Sequence, residues 1–71
     1  MKTIKEITEM AEKIKALTEV SEVAITEDRL IITLIDEEEE TYRKIENKIK
    51  EITGDYPIAC DVNIKDWFVY F

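Results

Sequence analysis

Two short stretches, residues 30–35 and 67–71, offer almost no polar side chain to either side of an extended backbone, and any fold of this chain must cover both. The first is interrupted only by Thr33; the second consists of Trp67, Phe68, Val69, Tyr70 and Phe71. Strands apolar on both faces belong in the middle of a sheet, because an edge strand needs a polar side and some protection from further pairing.

The remaining segments supply elements with one apolar face each. Thr3 followed by Glu6 has the spacing of a capping box, in which hydroxyl and carboxylate each satisfy one backbone N–H at a helix start. Ile4, Ile7, Ala11, Ile14 and Leu17 then recur at intervals of three and four, with Met10 beside them, which predicts an amphipathic helix with that stripe inward. Val23 and Ile25 alternate with Glu22 and Thr26, the pattern of a one-faced strand, and residues 27–29 form the turn to the apolar stretch at 30–35. Asp36, with Glu39 three positions on, predicts the cap of a second helix whose buried stripe is Tyr42, Ile45, Ile49 and Ile52, supported by the pairs Glu40–Lys44 and Glu46–Lys50. Gly54 fits its C-terminal cap. Ile58, Cys60, Val62 and Ile64 alternate with Ala59, Asp61 and Asn63 as a third strand. Lys65 and Asp66 make a weak turn into the last one, so residues 58–71 form either a hairpin or one long bent strand.

The expected fold is α+β: a single domain over residues 1–71, a two-layer α/β sandwich in the order α-β-β-α-β-β. With the two-sided strands central, the antiparallel sheet runs 1-2-4-3 and both helices lie on one face. Two helices cover one face only, so residues from the two-sided strands are left on the other. Trp67, Val69 and Phe71 share one side of the last strand and Phe68 and Tyr70 the other. Either set includes aromatic anchors of the kind protein interfaces favour, so all five are the candidate partner interface, in a homodimer or with another protein.

Composition narrows the function classes. Seventeen acidic against ten basic residues give a net charge of -7. Such a field repels phosphates, and the lysines are interleaved with glutamates, so nucleic acid is not the expected partner. The run Asp36, Glu37, Glu38, Glu39 and Glu40 reads first as a solvated, dipole-favoured helix start, and second as an acidic surface that imitates nucleic acid and blocks a basic site. The chain has no histidine, so neither Cys–His nor Ser–His activation is available to Cys60 or to Ser21. Cys60, flanked by Ala59 and Asp61, is expected to be a buried structural thiol. Asp61, Asn63 and Asp66 lack the glycine and terminal glutamate of a calcium loop, and one glycine cannot build a phosphate loop. The chain is therefore expected to be non-catalytic, without metal or cofactor. One cysteine and the absence of any apolar run near membrane length point to a cytoplasmic protein. The Glu-, Lys- and Ile-rich composition predicts thermostability and is shared by hyperthermophile proteins and idealised designs.

Overall fold

A computed structural model describes residues 3–60, 62 and 65–71. The elements are α1 (Ile4–Lys15), β1 (Val20–Ile25), β2 (Arg29–Leu34), α2 (Glu39–Thr53), β3 (Ile58–Ala59) and β4 (Asp66–Tyr70). The sheet has the order β1-β2-β4-β3, with every neighbouring pair antiparallel. The two strands predicted to be central are central.

Helix α1 begins at Thr3, whose Oγ1 accepts from the Glu6 N–H at 3.2 Å. The Glu6 carboxylate takes the Thr3 hydroxyl proton rather than its backbone N–H, so the box closes through side chains. Ile7, Met10, Ala11 and Ile14 are buried and Leu17 is half-buried, but Ile4, expected in the stripe, is 83% exposed. It sits in the first turn, at one rim of the helix layer.

Helix α2 starts later than its acidic run suggests. Asp36 is not its cap: Oδ1 of Asp36 accepts from the Glu38 N–H at 2.9 Å and from the Thr41 hydroxyl at 2.7 Å, and Glu38 holds the cap position with no side-chain bond. A rival donor five residues on, Thr41, redirects the aspartate from the capping box with Glu39. The buried stripe is consequently Thr41, Ile45, Ile49 and Thr53, with Tyr42 and Ile52 at its margins. Both threonines are satisfied, Thr41 by Asp36 and Thr53 by donating to the Ile49 carbonyl at 2.8 Å. The ion pair within α2 is Glu39–Arg43 at 2.7 Å, in place of the pairs expected at Glu40 and Glu46. Gly54 closes the helix at φ 90°, a left-handed conformation that glycine adopts without a Cβ penalty.

In β1 the register shifts between Val20 and Glu22, so Ser21 is the extra residue of a bulge. The bulge aligns Val20 with Leu34 and Glu22 with Thr33, turning Val20 to the helices and Glu22 away from them. Leu30, Ile32 and Leu34 of β2 and Val69 of β4 complete a core with the helix residues. Ile14, Leu30, Ile32, Ile45 and Ile49 are its fully buried large side chains, each contributing about 1.5–3 kcal/mol by burial. Strand β3 is shorter than its alternation implied: it ends at Ala59, and Val62 lies outside any strand and is 95% exposed. The predicted positions Asp61, Asn63 and Ile64 lie outside the described residues.

Candidate functional site

Strand alternation sorts the five C-terminal residues. Trp67 aligns with Ile32 and Val69 with Leu30, so both face the helices, and Phe71 packs against the same core. Phe68 aligns with Ile31, and Tyr70 with Arg29, on the face the helices leave open. Only two of the five therefore contribute to an open surface.

That surface has an ordered composition. Cross-strand register brings Ala24, Ile31, Phe68 and Ile58 into one row spanning all four strands. Phe68 and Ile31 are half-buried, whereas Ala24 and Ile58 are exposed, Ile58 at 56%. Two residues along the strands on one side of this row lie Arg29 and Tyr70; two residues along on the other lie Glu22, Thr33 and Asp66. The Arg29 guanidinium carbon sits 4.9 Å from the Phe68 ring centre and 5.1 Å from that of Tyr70, within cation–π range of both. Phe68 and Tyr70 meet edge to face at 6.2 Å. At the opposite end the Thr33 hydroxyl donates to Asp66 Oδ1 at 2.7 Å.

The Arg29 side chain is anchored rather than free. Its Nε donates to Asp28 Oδ1 at 3.1 Å, and this bond holds the Asp28 carboxyl below its ordinary value while raising that of the guanidinium. Thr26 organises the turn beneath, its hydroxyl accepting from the Arg29 N–H and lying 3.1 Å from Asp28 Oδ1. Arg29, which its sequence context places in a turn, is the first residue of β2. Its parity with Ile31 is the signal that it shares the open face. Ala24, Ile31 and Ile58 are likewise members of the surface that strand parity alone could have added.

The acidic run is dispersed by its local bonds. Asp36 points back to Thr41 and Glu38, which holds its carboxyl below the usual range, and Glu39 is engaged by Arg43. Together with Glu37, Glu38, Leu34, Tyr42 and Trp67 they line a cleft of about 280 Å3, whereas Glu40 is not among the lining residues. The Tyr42 ring stacks on Trp67 at 3.9 Å, and burial, followed by a hydrogen bond with Glu46, raises the Tyr42 hydroxyl. Trp67 Nε1 is sealed from solvent without a partner among the described residues, so the indole meets the cleft through carbon. A second groove, of about 400 Å3, is lined by Ile4, Ile7, Thr8, Ile25, Thr26, Glu27 and Phe71 at the rim where α1 begins.

Cys60 is only half-buried, unlike the structural thiol expected, and its N–H donates to the Asp66 carbonyl at 3.0 Å at the sheet edge. Ser21 is exposed in the bulge. Among the described residues no group of three or more Cys, Asp or Glu is placed to hold a metal, and no helix is long and apolar enough to cross a membrane. Comparison of the chain with protein-family models, with curated proteins and with solved structures finds no match.

Proposed function

We propose that the protein is a non-catalytic interaction module that associates with a second copy of itself through the open face of its sheet. The observation that carries this reading is the apolar row of Ala24, Ile31, Phe68 and Ile58, which crosses the sheet unbroken and has no helix over it. Apolar side chains scattered singly on a surface need no partner, but a contiguous row with an aromatic at its centre is the form interface anchors take. Strand spacing and rise give the face a footprint of about 19 by 17 Å. A dimer built on it buries roughly 650 Å2 in total, below the standard interface size, so the association is weak and calls for high protein concentration.

The test is solution mass by light scattering over a concentration series reaching millimolar protein. The wild type is expected to pass from monomer to dimer across it, and Phe68→Glu, with unchanged far-ultraviolet circular dichroism, to stay monomeric. A wild type that is monomeric throughout overturns the reading.

A second reading rests on the cleft where α2 begins. Its floor of stacked aromatic carbon and its carboxylate rim suit a basic side chain of a partner protein, the role of an acidic blocker. Titration with a lysine-rich peptide tests it: binding that weakens steeply with salt and disappears in Trp67→Leu supports it, and no binding at low salt removes it.

A further inference from the structure

The open face is arranged as three parallel bands, and the order of those bands selects one way for two copies to meet. The apolar row of Ala24, Ile31, Phe68 and Ile58 lies in the middle, Arg29 and Tyr70 lie on one side, and Glu22, Thr33 and Asp66 lie on the other, each band two residues from the row. We infer that the partner is a second copy related by a two-fold axis running along the apolar row, so that Arg29 of each copy lies over Thr33 of the other, between its Glu22 and Asp66, and Tyr70 lies over its Asp66. This inference rests on the self-association reading above and specifies its geometry.

Three observations support that axis. A rotation about the row keeps every strand over its own equivalent and exchanges the outer bands, which is the self-complementarity a two-fold interface requires. Stacked sheets pack about 10 Å apart with nearly aligned strands, and opposing strands crossed by this axis meet that condition. Like charges opposed are costly: an axis along the strands would lay each band over its own kind, with the carboxylates of Glu22 and Asp66 on one another, and an axis normal to the face cannot bring two faces together.

Within one chain the two charged bands do not neutralise each other. Their backbone positions lie four residues apart along the strands, about 13 Å. The Arg29 guanidinium is bonded to Asp28 and lies over the Phe68 and Tyr70 rings on the open face. The net charge of -7 makes two copies repel at long range, and Arg29, although paired with Asp28, is a cation on this face within side-chain reach of a second copy's acidic band.

Mixing variants tests the axis and separates it from self-association in general. Arg29→Glu reverses one band; Glu22→Lys with Asp66→Lys reverses the other. Each variant alone is expected to dimerise about tenfold more weakly than the wild type, because both of its contacts join like charges. An equimolar mixture is expected to recover association to near the wild-type level. In the mixed dimer the side chain at position 29 of each copy faces a band of the opposite sign, and no rearrangement inside one chain can produce that preference. Heterodimer formation is read by native mass spectrometry with one variant isotope-labelled. Should Asp66→Lys fail to fold through loss of the Thr33 acceptor, Glu22→Lys, at an exposed position, carries the acidic arm alone. A wild-type dimer whose variants associate equally well, alone and mixed, overturns the axis and leaves self-association standing. A wild type that remains monomeric at millimolar concentration overturns both.

Discussion

The two faces of this sheet are made by the same strands and differ in what they can tolerate. In β4, Val69 is 3% exposed under the helices and its neighbour Tyr70 is 45% exposed on the other side. In β2, Ile32 is fully buried while Ile31, one residue away, is half-buried in the open row. Composition does not distinguish these neighbours; only strand parity and the placement of two helices do. Stability therefore resides on one face, and the other is free to carry an interaction.

The largest effect that can break this comparison is a charge placed on each side of β4. Val69→Glu puts an unpaired carboxylate among Leu30, Ile14 and the rest of the core and is expected to leave the chain unfolded at 25 °C. Tyr70→Glu lies against Arg29, gains an ion-pair partner, and is expected to cost no more than about 1 kcal/mol. Circular dichroism with urea titration reads both. Equal destabilisation by the two would mean that the open face is structural.

A cavity pair in β2 sharpens the contrast at lower cost. Ile32→Ala is expected to lose about 2–5 kcal/mol, since the site is enclosed by both helix and sheet side chains. Ile31→Ala trims a half-buried side chain in the open row and is expected to lose about 1 kcal/mol of folding stability. A loss at Ile31 as large as that at Ile32 would mean that this row is covered within one chain.

How far the sequence foretells this arrangement depends on the kind of signal. The strand order is legible because residues 30–35 and 67–71 cannot sit at an edge. The sides of β4 are legible as an alternation but not as a direction, because Trp67, Val69 and Phe71 are as apolar as Phe68 and Tyr70. The bulge at Ser21 leaves no trace: a serine in a strand start has no special meaning, yet it decides that Val20, which plain alternation would put beside Glu22, turns to the helices. The start of α2 misleads, because Asp36 and Glu39 have the capping-box spacing and the competing Thr41 hydroxyl becomes visible only in three dimensions. Arg29, hidden inside a turn-like sequence, is the open-face residue that the sequence conceals best.

The smallest expected effect is in acid, and it distinguishes the two faces by the physics of two aspartates. Asp36, on the loop that leads into α2, has its carboxyl lowered first by the Thr41 hydroxyl and then by the Glu38 N–H, with Lys65 and Lys44 contributing less. Asp28, at the end of the open face, is lowered first by its hydrogen bond from Arg29, with Thr26 adding to it. A depressed folded value means that each carboxylate stabilises the fold above the unfolded value of about 3.9. That contribution is lost as pH falls through the lower folded value. Both carboxyls lie at the surface, so the effect is modest and open to screening. An uncharged hydroxyl and a backbone N–H are indifferent to salt, whereas the Asp28–Arg29 ion pair is not. Urea melts between pH 5 and pH 2 at low and high salt are therefore expected to show an acid limb that Asp36→Asn flattens at either ionic strength. Asp28→Asn is expected to flatten it chiefly at low salt. If the two substitutions respond alike to salt, the start of α2 is held by the lysines near Asp36 rather than by Thr41, and the helix layer depends on charge as much as the open face does.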